Sequence, residues 1–223
     1  MFTDKVKITF TAGKGGNGVV AWRREKFIPK GGPAGGDGGN GGFIYLKSSP
    51  HRLSLEHLRN FKVIKAENGL QGGAGNRKGR NGQDLIIEVP FGTLVKNAEN
   101  QEVIFDFTQE EQQYCLCQGG RGGKGNTRFK SATNQTPQTC TLGTFGKSLE
   151  IDLELKLIAD IGLIGFPNAG KSTLISQITR NKVKIAPYPF TTLKPNIGLL
   201  EFEDYSRIMI ADIPGIIKDA HLD

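Results

Sequence analysis

Between residues 165 and 172 the chain reads Gly165-Phe166-Pro167-Asn168-Ala169-Gly170-Lys171-Ser172, a spacing suited to holding a polyphosphate. Two glycines let the backbone turn without Cβ clashes, so that successive N–H groups point at phosphate oxygens. Lys171 is placed to reach the β and γ phosphates, and the Ser172 hydroxyl to ligate Mg²⁺. A helix opening at Lys171 adds its positive dipole end.

The elements around the loop must come in a fixed order for this chemistry. Ile158–Ile164 is a nearly continuous apolar run, which predicts a strand buried on both faces. Lys171–Arg180 places Leu174, Ile175 and Ile178 on one helical face. Two further pieces follow. Tyr188-Pro-Phe190-Thr191-Thr192-Leu193-Lys194 offers a hydroxyl that could complete a Mg²⁺ shell when a γ phosphate is bound, as a switch would. Arg207–Ala211 reads as a second buried strand, ending in Asp212-Ile213-Pro214-Gly215. That segment supplies a carboxylate for a magnesium-bound water and an N–H for the γ phosphate.

In these three motifs, and in the glycine-rich region ahead of them, the chain resembles the Obg family of bacterial ribosome-associated GTPases from Met1 to about Leu222. The resemblance implies that residues 165–172, 190–194 and 212–215 line GTP, and that Ser172 and Thr192 ligate Mg²⁺. It further implies a protein that acts in ribosome assembly, docking on the large ribosomal subunit and its rRNA; a cytoplasmic, monomeric protein is expected. Relatives of this kind read guanine with an Asn-Lys-x-Asp motif and a later Ser-Ala loop, and neither occurs here. Asn181-Lys182-Val183-Lys184 lacks the Asp and lies too soon after the first helix. Weak or absent GTP binding by this chain is therefore expected, as from a G domain whose sequence breaks off at Asp223.

Ile216 stands where Ras-like enzymes carry a water-orienting glutamine, so slow hydrolysis is expected. Asn168 resembles the asparagine with which potassium-activated relatives hold K⁺ beside the phosphates. Stabilisation of the loop turn is an equally open reading of it.

Composition divides the chain. Of its 31 glycines, five (Gly162, Gly165, Gly170, Gly198, Gly215) follow residue 150, leaving 26 before it. They cluster at 13–18, 31–42, 69–82 and 119–125, between candidate strands at 6–10, 19–21, 43–46, 85–89, 103–107 and 149–155. An isolated cluster of this kind would read as flexible loop. Four clusters alternating with strands fit extended polyproline-II segments packed backbone to backbone, although no strict three-residue repeat spans the region. The alternation of Leu149–Leu155 predicts a strand with one wet face.

The expected architecture is thus a β-rich glycine-rich domain over 1–158, a small β base carrying a bundle of polyproline-II-like helices. A partial α/β P-loop domain over 159–223 follows.

Charge follows the same division. Residues 151–223 hold 8 Lys+Arg against 9 Asp+Glu, which leaves 21 against 13 before them, about +8 in front and −1 behind. The basic residues lie near the glycine loops, at 22–27, 77–80 and 121–130, where they could approach phosphates while Trp22 or Phe129 stacks on a base. A core role for Trp22 and Phe27 stays open. No apolar stretch approaches the ~20 residues that span a bilayer. Cys115, Cys117 and Cys140 show neither CxxC spacing nor scaffold density and read as reduced thiols. His51 and His57 have no evident ligand partners.

Overall fold

The computed structural model describes residues 3–23, 31–52, 54–156, 161–166, 169–178, 184–185, 196–201 and 207–212. It divides into two units, Thr3–Lys156 and Leu157–Asp223.

In the first unit, alternation in Lys5–Thr11 (β1) turns Val6, Ile8 and Phe10 inward, burying all three. Each such side chain contributes about 1.5–3 kcal/mol when fully buried. β1 pairs antiparallel with Ser148–Leu155 (β8), from Lys5 opposite Glu154 to Thr11 opposite Ser148, and parallel with Val63–Lys65 (β3). Thr93–Asn97 (β5) and Val103–Asp106 (β6) complete a sheet of order β3-β1-β8-β5-β6. A second sheet sets Ile44–Ser49 (β2) between Leu85–Pro90 (β4) and Gln113–Cys117 (β7). The inward residues of both sheets form the core: Ile8, Phe10, Ile151, Leu153 and Val95 from one, Ile44, Leu46 and Val89 from the other.

The structure corrects three sequence expectations here. Residues 19–21 form no strand; Val19 instead donates its N–H to Gly36 O and accepts from Asn126 N, as a member of the glycine-rich bundle. Strands β3, β5 and β7 are additional to those expected. The far face of β8 is not simply wet. Asp152 on it is only 6% exposed, covered by Gln101, whose side-chain amide donates to its carboxylate at 2.9 Å. Beside it, Lys7–Glu150 and Lys96–Glu154 form cross-strand ion pairs.

The glycine clusters build six extended segments, spanning 12–19, 34–43, 66–73, 77–83, 118–126 and 141–147, with hydrogen bonds running between segments at every third residue. Gly13, Gly16 and Val19 donate to Gly42, Gly39 and Gly36; Gly36, Gly39 and Gly42 donate to Gly73, Leu70 and Glu67; Gly120, Gly123 and Asn126 donate to Gly13, Gly16 and Val19. A three-residue register therefore operates within each segment, although the sequence as a whole carries no continuous triplet repeat.

Glycine number follows position in the bundle. Segments 12–19, 34–43 and 118–126 contact neighbours through two of every three residues and read Gly-Gly-x locally; 66–73, 77–83 and 141–147 read Gly-x-x. A Cβ on Gly38 would stand 2.0 Å from Gly16 O, and one on Gly143 would stand 1.9 Å from Gly15 O. Nothing but hydrogen fits there. The third position carries short acceptors: Asn17, Asn40, Asn68 and Asn81 each take a neighbouring segment's backbone N–H at 2.8–3.0 Å.

The second unit contains Ile161–Leu163 (β9), Lys171–Ile178 (α1), Lys184–Ile185 (β10), Asn196–Glu201 (β11) and Arg207–Asp212 (β12), with sheet order β10-β11-β12-β9. The run Ile158–Ile164 does not give a strand buried on both faces. Residues 158–160 lie outside the described residues, and β9 is an edge strand with Ile161 and Gly162 exposed. The reason is that α1 packs on β11 and β12, burying Ile175 with Ile210 and Ala211, so cover falls on the sheet centre. Of the expected helical face only Ile175 is buried; Leu174 and Ile178 are exposed.

Candidate nucleotide-binding site

β9 and β12 run parallel, with Leu163 opposite Asp212, so their carboxyl ends lie at one edge of the sheet. Ligands of open α/β sheets bind in the crevice outside such ends. From that edge β9 delivers Gly165 and Phe166, while Ala169 and Gly170 lead into α1. Ala169 N donates to Phe166 O at 3.3 Å, and the first helical bond is Leu174 N to Gly170 O at 2.9 Å.

The two loop glycines differ in role. Gly170 has φ +79°, a left-handed conformation that disfavours any L side chain, although nothing lies within 4 Å of where its Cβ would be. Gly165 does not have positive φ, and its Cβ would make an ordinary 3.5 Å contact with Lys171 Cδ. Only Gly170 is required by backbone geometry.

Lys171 Nζ donates to Gly165 O at 2.9 Å and Phe166 O at 3.1 Å, so the ammonium lies across the loop. Ser172, the second residue of α1, is exposed, and Phe166 is 83% exposed. The region therefore joins a fixed cation to the positive end of a helix, where the first N–H groups have no intrahelical acceptor. That combination attracts an anion.

Of the sequence-predicted residues, the structure brings Gly165, Phe166, Ala169, Gly170, Lys171 and Ser172 together, with the Asp212 backbone on the adjacent strand. Pro167, Asn168, Phe190, Thr191, Thr192, Leu193, Lys194, Ile213, Pro214 and Gly215 lie outside the described residues. Among the described residues no cluster of three or more His, Cys, Asp or Glu side chains forms a metal site, and no helix is long and apolar enough to cross a membrane.

The basic surface is also resolved by residue. Arg77, Lys78, Arg121, Lys124 and Lys130 are exposed; Trp22 and Phe129 are half-buried; residues 24–30 lie outside the described residues. Some cations are already paired: Arg128 with Asp37 at 2.9 Å and Arg80 with Glu67 at 2.6 Å. Burial would raise the Asp37 carboxyl, but the Gly125 N–H and the Arg128 guanidinium outweigh it and hold it below the usual carboxylate range. The Gln83 N–H, helped by Arg80, lowers Glu67 as well. Sequence reasoning did not single out Asn126. It is fully buried, accepts from Gly35 N at 2.8 Å and donates to Ala21 O and Pro137 O, closing one end of the bundle. Its place in Gly125-Asn126, where the preceding triplets carry their second glycine, was the available signal.

Residues 3–157 match the family model described as GTP1/OBG, and residues 160–223 match that described as 50S ribosome-binding GTPase. The chain is 58% identical over 220 residues to "GTPase Obg" of Protochlamydia amoebophila, covering 99% of this chain and 65% of that protein. It is 53% identical to "GTPase Obg" of Aquifex aeolicus, over 99% of this chain and 64% of the relative. Against "GTPase Obg" of Chlorobium phaeobacteroides the values are 49%, 98% and 67%. The chain spans about two thirds of the length of the curated relatives it matches.

Proposed function

The chain belongs to the Obg family of GTPases, and from that premise we propose a protein that binds GTP at Gly165–Ser172 with Mg²⁺ and hydrolyses it in its intact form. Its basic glycine-rich unit docks on the large ribosomal subunit and its rRNA, and it acts in ribosome assembly as a cytoplasmic monomer. The observation that carries the nucleotide reading is the loop itself. Gly170 in the left-handed conformation feeds α1, with Lys171 Nζ held across the loop beside the carboxyl end of β12.

The residues present suit the metal. A hard cation takes oxygen ligands, and Ser172, an exposed residue at the helix start, carries one in its hydroxyl; Thr192 is the proposed second ligand. Bound Mg²⁺ would neutralise phosphate charge. Lys171 binds and orients the phosphates, and the first N–H groups of α1 fix their position. Ile216 offers no hydrogen bond to a water, so turnover is slow. In the mechanism we favour, ordering of Thr192 and the Asp212 segment by GTP alters the grip of the glycine-rich unit on the ribosome. The bundle is a close-packed array of extended glycine segments, which we read as polyproline-II-like from its three-residue register.

For this chain alone we expect weak nucleotide binding, since the guanine-reading motif is missing from its sequence. The exposed Arg77, Lys78, Arg121, Lys124 and Lys130 of the glycine-rich unit favour a second reading, a non-enzymatic RNA- or ribosome-binding module. Co-sedimentation with isolated large subunits, with and without GTP, separates the two: pelleting that GTP modulates supports the switch, and pelleting indifferent to GTP supports the module. Failure to pellet at low salt sinks the docking assignment, and micromolar or tighter GTP affinity in calorimetry overturns the weak-binding expectation.

A further inference from the structure

The bundle contains four Asn-Gly dipeptides: Asn17-Gly18, Asn40-Gly41, Asn68-Gly69 and Asn81-Gly82. Each is chemically the most reactive pairing an asparagine can have. With no Cβ on the following residue, that residue's backbone nitrogen can reach the asparagine Cγ. The N–Cγ bond then forms, the glycine N–H proton leaves with the side-chain nitrogen as ammonia, and a cyclic imide results. Water opens the imide at Cγ to give aspartate, or at the main-chain carbonyl carbon to give isoaspartate, in which the chain runs through the side chain.

Both reacting partners are engaged at all four positions. The glycine nitrogens donate to carbonyls of neighbouring segments: Gly18 to Thr141 at 3.0 Å, Gly41 to Gly120, Gly69 to Lys14 and Gly82 to Asn40, each at 2.8 Å. The Oδ1 atoms accept from other segments: Asn17 from Gly143, Asn40 from Gly122, Asn68 from Lys14 and Asn81 from Asn40. Cyclisation must break at least two inter-segment hydrogen bonds and swing the side chain toward its own main chain. Asn17 is half-buried and Asn40, Asn68 and Asn81 are exposed, so it is these hydrogen bonds and the extended backbone they hold, not burial of the side chains, that oppose the movement until segments separate.

We propose that these four asparagines are self-modification sites held silent by the bundle, so that imide formation proceeds only from molecules whose glycine segments have opened. The reaction then records opening and makes it irreversible through one product alone. Asp37 shows why. It precedes Gly38, sits in segment 34–43 at the register position one triplet before Asn40, and its carboxylate accepts the Gly125 N–H at 2.9 Å. An aspartate is thus accommodated where the bundle otherwise places asparagine. Isoaspartate inserts a methylene into the main chain and destroys the three-residue register, so the segment cannot reseat.

The test is peptide mapping of the full chain by mass spectrometry after incubation in mildly alkaline buffer, native and in graded urea. Reaction from an opened state is slowed by the fraction of time spent open. The native chain should therefore deamidate at Asn17 and Asn40 at least about a hundredfold more slowly than the chain in urea, with all four sites accelerating together with loss of amide-exchange protection. Gly38→Ala, which wedges segment 34–43 away from Gly16, should raise the native rate at Asn17 and Asn40 by about tenfold or more, folded or not. Asn40→Asp should keep native exchange protection, whereas refolding of chains carrying isoaspartate at residue 40 should fail to restore it. Equal rates in native buffer and urea overturn the proposal, as does Gly38→Ala that loses protection without gaining deamidation.

Discussion

Gly38→Ala is the sharpest probe of why the first unit spends so many glycines. The new Cβ would lie 2.0 Å from Gly16 O, 2.4 Å from Gly16 C and 2.9 Å from Asn17 O, all backbone atoms that no rotamer change can move. Reaching an ordinary 3.4 Å contact requires a displacement of 3.4 − 2.0 = 1.4 Å. Three bonds cross this point at 2.8 Å: Gly16 N to Gly39 O, Gly38 N to Gly123 O and Gly123 N to Gly16 O. Stretched by that amount, they leave the 2.7–3.2 Å range of a real hydrogen bond. Each lost bond costs about 1 kcal/mol net and more where a buried group is left unpaired, which puts the substitution at about 3–6 kcal/mol. That is a large part of the ~5–15 kcal/mol stability of a typical domain. Gly73→Ala is the control, because its Cβ meets only Arg77, at 3.4 Å from Cβ and 3.8 Å from O, and its φ is not positive. Reduced unfolded-chain entropy should there give a change of no more than about 1 kcal/mol, in the stabilising direction. The assay is urea unfolding followed by the fluorescence of Trp22, the single tryptophan, whose backbone bridges Pro33 in the first unit. Amide exchange at Gly16, Gly38 and Gly123 runs alongside. If Gly38→Ala costs under about 1 kcal/mol, or Gly73→Ala costs as much as Gly38→Ala, close backbone approach is not what fixes the glycines.

Three other outcomes are expected. Gly170→Ala should lower nucleotide affinity in the full-length protein and cost about 1–2 kcal/mol of local stability because of its φ of +79°, while Gly165→Ala should leave the fold of the second unit unchanged. Circular dichroism with a phosphate-analogue titration checks both, and equal effects would contradict the distinction. Asp37 has a depressed folded pKa, so its stabilisation is present above the unfolded value of about 3.9 and is lost as pH falls through the folded one. Asp37→Asn should therefore flatten the acid limb of Trp22-monitored unfolding below about pH 4, and an unchanged limb would contradict the pairing with Arg128. Burial pushes the Cys117 thiol up to about 11, whereas Cys140 is exposed, so a maleimide should label Cys140 first in the folded chain and Cys117 only on unfolding.

How far the sequence could be read depended on how local the governing physics was. The loop over 165–172 is legible because it is defined by spacings of a few residues, and strand, turn and helix appear around Gly170, Lys171 and Ser172 in the expected order. The burial of β9 was not, because it depends on where α1 lands. Ile158–Ile164 reads as a nearly continuous apolar run, yet the helix covers Ile210 and Ala211 instead. On β8 the charges alternate as in a solvated face, but Asp152 is enclosed by Gln101 from a distant turn, held at φ +57°. No window along the chain contains both ends of that contact.

The glycine region differs, because its three-residue period holds within short runs and not along the region as a whole. A repeat spanning 1–150 does not exist; six short runs, each with its own triplet phase, do. Two residues of every triplet in 12–19, 34–43 and 118–126, and one in 66–73, 77–83 and 141–147, lie where a Cβ would fall within 3 Å of a neighbouring segment's backbone, and those are the positions that glycine fills. Central and peripheral positions in the bundle are therefore encoded locally, even though which segments pair is not. The residues left at the third position then divide by where they sit. Asn17, Asp37 and Asn40 turn side-chain oxygens to other segments and accept their N–H groups, Asn40 at the exposed surface, while Arg121 and Lys124 extend into solvent, their own N–H groups taken by the Thr144 and Thr141 hydroxyls. The same three-residue rule that excludes side chains from the interior thus delivers cations to the outside. The basic surface is a consequence of how the bundle packs, and a change that broke the register would scatter those charges along with it.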